Sequence, residues 1–295
     1  MKNIIKITAL TALVLSAVSC YEDYIDDYQF SAVYFASQKP LRTIISDRDM
    51  TIDVGVAIAG KRDINPNDWA KFEISLYDLV GSGFELMPEE YYELESPNKM
   101  SVKKENLPIA SVTVKFTDAF YADPLSTTNH YAIPFGIVAS SCDSILVDKR
   151  TTIVAVKYIS NYHGTYLVKG KIDTLDGSDQ VVSSVNYGSH ELASTYTRST
   201  VTMAKDKIVV EGLGNTFPAK ADEKLLLTFG SNGSLTVEAA EGGIGILSAA
   251  GSYTPGENLK IDLSYDFVKE GVKYHVEETL VRRQDPYKDL YYEEW

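Results

Sequence analysis

The sequence runs to 295 residues, 44% hydrophobic and 23% charged, a folded composition long enough for two medium domains or one large one. Its 41 acidic residues against 28 lysines and arginines give a formal net charge of -13, which repels polyanions and argues against a nucleic-acid partner. Twenty tyrosines beside ten phenylalanines and two tryptophans suit half-exposed strands and surfaces that stack on sugars.

Residues 1–6 carry Lys2 and Lys6, residues 7–18 are apolar but too few to span a bilayer, and Ala17 and Ser19 lead into Cys20. That order resembles the lipobox of a bacterial lipoprotein, which implies a signal peptide at 1–19 and lipidation of Cys20. An ordinary signal peptide cut near Ala17 or Ser19, leaving Cys20 a free thiol, is the alternative, and either one exports the chain. Removal of the two lysines takes the net charge from -13 to -15. An acidic tether follows at 20–29, where Glu22, Asp23, Asp26 and Asp27 resemble the export tag that carries Bacteroides lipoproteins to the outer cell surface. If Cys20 carries lipid, Cys142 has no disulfide partner and reads as a small buried or half-buried thiol.

Residues 31–35 read as a first strand. Ile52, Val54, Val56 and Ile58 alternate with smaller or polar residues over 51–59, as do Val112, Val114 and Phe116 farther on. Segments 72–78, 131–138 and 153–158 add strands, and 63–68, 96–99 and 123–125 carry turn chemistry. One short helical turn fits 85–93. Short strands separated by Pro, Asn and Gly predict an immunoglobulin-like β-sandwich over 30–158.

Past residue 161 the strands lengthen. Segment 164–174, a turn at 176–178, and Val181, Val182 and Val185 come first. A hairpin is predicted across 204–206, and Asn232-Gly233 is a strong hairpin signal between 224–229 and 235–239. Gly242-Gly243-Ile244-Gly245 reads as a bulge or turn. Leu259 to Phe267 alternates cleanly and Lys269-Glu270-Gly271 turns it into Val272, Tyr274 and Val276. An all-β chain follows, the sandwich being joined at 162–295 by an antiparallel meander of about eight strands, barrel-like in the lipocalin manner or a curled sandwich.

The segments Leu86-Met87-Pro88-Glu89-Glu90-Tyr91-Tyr92, Tyr131-Ala132-Ile133-Pro134-Phe135, Tyr162-His163-Gly164-Thr165-Tyr166 and Tyr291-Tyr292-Glu293-Glu294-Trp295 together resemble a family of Bacteroides surface lipoproteins from glycan-utilisation loci. The first two fall in its N-terminal β-sandwich domain of unknown function, which also precedes the catalytic barrel of some Bacteroides endo-β-N-acetylglucosaminidases. Here a small β domain stands in place of that barrel. The resemblance implies a non-catalytic glycan-binding accessory on the outer membrane, near an import complex, and brings no catalytic residues with it.

The residues themselves name no reaction. His130, His163, His190 and His275 are not at metal-ligand spacing, and 63–68 lacks the Gly and Glu of an EF-hand loop, so it reads as an Asx-type turn with solvated acids, a looser calcium site being the alternative, and no metal or cofactor is expected. No Gly-x-Ser-x-Gly elbow occurs, and with 41 acidic residues a carboxylate pair carries no information. Sugar binding needs an aromatic face beside polar groups. Trp69 beside Asn65, Asn67 and Asp68, Tyr121 beside Asp118 and Asp123, and Tyr187 beside Asn186 and His190 meet that description. Each could instead pack a core. Trp295 reads as a seal on the barrel or the interdomain contact. A hydrolase with an unrecognised site and a structural or adhesin lipoprotein are the alternatives to glycan binding.

Overall fold

The computed structural model describes residues 30–295 except 49, 62, 64, 105 and 192, so Cys20, the run before it and the acidic tether lie outside the described residues. The first domain contains β1 (Ala32–Tyr34), β2 (Pro40–Ile45), β3 (Thr51–Ala59), β4 (Trp69–Ile74), β5 (Glu85–Leu86), β6 (Tyr92–Leu94), β7 (Lys99–Val102), β8 (Ile109–Phe116), β9 (Tyr131–Ser140), β10 (Ser144–Ile145) and β11 (Thr151–Ile159). They form one mixed sheet in the order β10-β1-β3-β8-β7-β4-β9-β11-β2, with β1–β10, β2–β11 and β5–β9 parallel. The period-two apolar positions give it one buried face. Val54 and Val56 of β3 and Val112 and Val114 of β8 share one core with Phe72 of β4, Phe135 of β9 and Val156 of β11. Burial of each such side chain is worth about 1.5–3 kcal/mol.

Strand β9 is buried on both faces. Ile133 and Phe135 enter the core, while Ala132 on the far side meets Leu41, Leu79 and Ala155. A short helix α1 (Asp118–Ala122), ahead of the turn at 123–125, drops Phe120 and Tyr121 into the core. Cys142 is a free, half-buried thiol packed against the same core.

The second domain runs β12 (Thr165–Leu175), β13 (Val181–Gly188), β14 (Thr197–Ala204), β15 (Lys207–Glu211), β16 (Lys224–Phe229), β17 (Ser234–Ala239), β18 (Ile246–Thr254), β19 (Lys260–Lys269) and β20 (Val272–Arg282). Hairpins lead from β14 to β20, and β12 pairs with both ends of that run, Tyr166 opposite Arg198 on β14 and opposite Arg282 on β20. The result is a closed eight-stranded antiparallel barrel. Its interior is filled by alternate side chains such as Tyr166, Leu227, Phe229, Ile261 and Tyr265, the packed outcome open to a barrel of this strand number. One edge of β12 is divided: residues 165–167 pair with β14, and residues 169–175 pair with β13, which therefore lies outside the closed ring.

After β20 the chain turns back. Strand β21 (Glu293–Glu294) pairs antiparallel with β2, Leu41 opposite Glu293. Trp295 does not seal the barrel. Its ring packs edge-on against Phe84 at 4.8 Å with the Lys39 ammonium 4.8 Å from its centroid, and its indole N–H donates to the Ile153 carbonyl at 2.9 Å, so it covers the outer face of the sandwich sheet. Arg48 donates to both carboxylate oxygens of Asp285, at 2.7 and 2.8 Å, and Lys205 lies 4.4 Å over the Tyr121 ring, contacts that join the two domains. No helix among the described residues is long and apolar enough to cross a membrane.

Candidate functional site

The three aromatics singled out in the sequence are placed apart and in unlike surroundings. Trp69 opens β4, half-buried, with the Lys71 ammonium 5.8 Å from its ring, and its backbone N–H donates to Ser141 Oγ at 3.0 Å. Neighbouring Asp68 is committed to Lys61, which donates to both its oxygens at 2.8 Å and whose own pKa is raised by that bond. Tyr121 is only 3% exposed, wedged edge-on between Phe120 and Tyr158. Tyr187 is 6% exposed and points into the barrel. Neither tyrosine offers a ring face to a sugar, which corrects the expectation drawn from their polar sequence neighbours. Among the described residues no three His, Cys, Asp or Glu side chains converge as metal ligands would.

Tyr187 is buried because it sits opposite Gly170 across the β12–β13 pair, and a Cβ on Gly170 would stand 2.6 Å from its hydroxyl. The ring crosses the glycine and its phenol donates to Glu278 Oε2 at 2.6 Å. Arg198 donates to Glu278 Oε1 at 2.5 Å and to the Gly214 carbonyl at 2.7 Å, and Tyr265 donates to Oε1 at 3.1 Å while accepting from Gly214 N–H at 2.9 Å. Burial pushes both phenols well above the usual tyrosine range. Burial also opposes the Arg198 charge, but the adjacent carboxylate outweighs it and holds the guanidinium protonated. This cluster is structural: a buried ion pair whose carboxylate oxygens both accept hydrogen bonds, Arg198 Nε alone lacking a hydrogen-bond partner among the described residues.

Exposed aromatic surface gathers instead on the segment between β20 and β21. Asp285 caps a short 3-10 turn, Pro286–Asp289, accepting from Tyr287 N–H at 2.9 Å while paired with Arg48. Burial works against the Asp285 carboxylate, yet Arg48 and that N–H keep its pKa below the usual range. Tyr287, Tyr291 and Tyr292 follow at 58%, 76% and 59% exposure. Tyr291 lines a hollow of about 340 Å³ between the domains, with Lys157, His163, Ser199 and Asp289. Tyr292 lines another of about 280 Å³ in the sandwich seam, with Arg42 and Asp53, and the Arg42 guanidinium lies 5.7 Å from its ring. His163 Nδ1 lies 3.4 Å from Thr202 Oγ1, and burial lowers its pKa, which favours a neutral imidazole. Open aromatic faces bordered by charged and hydroxyl groups are what a pyranose requires. Tyr291 and Tyr292 were visible in the sequence as part of the closing motif, but nothing in their periodicity marked them as exposed.

A family model described as "-like, N-terminal domain" matches residues 26–143. No curated protein matches the chain. An auxiliary nutrient binding protein of Bacteroides thetaiotaomicron aligns at a TM-score of 0.41 and 14% identity, with 82% of this chain and 90% of that one covered. A Bacteroides ovatus protein of unknown function aligns at a TM-score of 0.46 and 13% identity, covering 86% of this chain and 94% of its own. Another Bacteroides ovatus protein of unknown function is similar at a TM-score of 0.72 and 21% identity over 89% of this chain and 96% of its own, so the two-domain fold is one found in Bacteroides.

Proposed function

We propose that the protein is a non-catalytic binding accessory that holds an oligosaccharide against the tail tyrosines, displayed on the outer cell surface by lipid on Cys20 and working beside an import complex. The observation that carries the binding role is the run of exposed rings, Tyr287, Tyr291 and Tyr292, next to hollows lined by Arg42, Asp53, Lys157 and Asp289. Each ring can cover the apolar face of one sugar, and the flanking charges can accept from or donate to its hydroxyls. The display role is supported by residues 1–20, by the acidic run after them and by the family resemblance.

Residues 21–295 on a glycan array should bind a subset of oligosaccharides, and Tyr291→Ala with Tyr292→Ala should weaken that binding. Absence of binding across a broad array would refute the reading. Cells fed labelled fatty acid should label the wild-type protein and not Cys20→Ala; equal labelling of both would remove the anchor. Hydrolysis is the second reading of the same hollow, which Asp289 and Glu293 line. Release of reducing ends by the wild type, lost in Asp289→Asn, would establish it in place of simple capture.

A further inference from the structure

The outside of a closed barrel is convex, so a hollow on it needs a local cause. Here β13 continues the sheet past the ring on one side of β12. On the other side, β18 pairs with β17 only at Ser234–Ser252 and Leu235–Gly251 while following β19 along most of its length. The five strands β13-β12-β20-β19-β18 therefore spread beyond the closure and enclose a shallow outer groove of about 810 Å³.

Registers place two rows of outward side chains across it, Lys169–Thr279–Asp262–Ser252 and Asn186–Lys171–Glu277–Ser264–Ala250. The charges are largely paired within the face: Lys171 with Asp173 at 2.7 Å and Lys260 with Asp262 at 2.9 Å. The side chains of Lys169, Asn186, Ser252 and Ser264 make no hydrogen bond or ion pair among the described residues, and Glu277 is exposed.

We propose that this groove is a second binding site, for a neutral oligosaccharide. Its residues are distinct from those of the tail, so the proposal stands apart from the tail reading. A protein partner would want aromatic or aliphatic anchors at the centre, and the one large apolar lining residue, Leu263, points inward. A polyanion would want excess positive charge, and here lysines face carboxylates. Vicinal sugar hydroxyls want donors and acceptors side by side, which an ammonium, an amide, two hydroxyls and a carboxylate supply on strands about 4.8 Å apart. Two sites on one chain would grip a polymer by avidity, without either being strong alone.

The test is calorimetric titration of residues 21–295 with short neutral xylan, mannan, β-glucan and galactan oligosaccharides, using polygalacturonate fragments as the acidic comparison. Ser264→Trp fills the groove, Asn186→Ala with Glu277→Ala strips it without adding bulk, and Tyr291→Ala with Tyr292→Ala removes the tail site. Thermal melting confirms that each variant folds. The expected result is that the tail variant still binds a neutral oligosaccharide, that Ser264→Trp in that background abolishes binding, and that loss of the two polar groups weakens it by about tenfold or more. Loss of all binding in the tail variant overturns the groove and leaves the tail reading standing. Binding lost to Ser264→Trp alone supports the groove and overturns the tail. Selective binding of the acidic fragments, or no binding by the wild type, overturns the groove as proposed.

Discussion

Glu278→Gln tests whether the barrel depends on its buried charge network. Arg198 and Glu278 side chains are 1% and 0% exposed, and the carboxylate accepts from three groups at once, Arg198, Tyr187 and Tyr265, while compensating the Arg198 charge. An amide has one acceptor oxygen where three donors converge, and its NH₂ must face one of them. Arg198 would be left a buried cation with no counter-charge, keeping the Gly214 carbonyl and at most the one amide oxygen, a loss of about 3–5 kcal/mol and a fall in Tm on the order of 10 °C. Replacing the pair together, Arg198→Met with Glu278→Leu, should cost much less than the sum of the single changes, because no uncompensated charge remains. Both tryptophans pack on the sandwich, Trp69 on β4 and Trp295 on its outer face, so indole fluorescence follows that domain while far-UV circular dichroism follows both. Urea unfolding read by the two probes should show the circular dichroism transition moving to lower denaturant. A Glu278→Gln loss below about 1 kcal/mol would mean the network is not what closes the barrel.

Two further outcomes concern the sandwich. Asp123 Oδ2 accepts from Tyr131 and Tyr91 at 2.6 and 3.0 Å, and Oδ1 accepts from Leu125 N–H at 2.9 Å; burial opposes the charge, but these donors outweigh it and the pKa is lowered. The stabilisation is complete above the unfolded value of about 3.9 and is lost as pH falls through the lower folded value, so Asp123→Asn should be less stable near neutrality and show a flatter acid limb; an unchanged acid limb would refute this. Trp295→Ala removes the ring from Leu41, Leu79 and Ala155 and its bond to Ile153, at a cost of about 2–3 kcal/mol given partial burial, and should loosen the β2–β21 pairing that fixes the tail; unchanged urea midpoints would show the cap to be dispensable.

Much of the architecture was legible because many of the strands bury one face. Val54, Val56 and Ile58 of β3 and Leu263, Tyr265 and Phe267 of β19 alternate in the sequence as they do in space. The turns were legible for a steric reason: Asn232 and Gly233 adopt φ of 56° and 79°, and Glu270 and Gly271 φ of 53° and 79°, the left-handed region that Gly tolerates best and Asn better than most residues. Where burial is two-sided or absent, alternation vanishes. β2 is buried at both ends of Pro40–Ile45, and β18 exposes small residues on both faces, so neither announced itself. Tyr121 and Tyr187 were misplaced for a related reason. Polar neighbours in sequence say nothing about a ring that a helix turn or an opposing glycine carries inward, and the true open rings sit on an irregular segment with no period to read.

The excess of tyrosine divides into two populations that substitution can separate. Inside, the hydroxyl has a defined partner: Tyr158 donates to the Tyr121 carbonyl at 2.9 Å, Tyr166 to the Tyr162 carbonyl at 2.5 Å, Tyr187 and Tyr265 to Glu278. Burial pushes the Tyr158 phenol up to about 12, so it donates without ionising across the physiological range. On the tail, Tyr287 and Tyr291 make no side-chain hydrogen bond among the described residues, and their rings are what they present. Removal of a hydroxyl should therefore act oppositely at the two places. Tyr187→Phe strands Glu278 Oε2 and should cost about 1.5–3 kcal/mol, freeing the one buried side chain that anchors β13. Tyr291→Phe keeps the ring and should leave both stability and sugar binding near wild type, whereas Tyr291→Ala should spare stability and weaken binding. If Tyr291→Phe loses binding as completely as Tyr291→Ala, the phenol rather than the ring face is the recognition element, and a stacking platform is the wrong description of the tail.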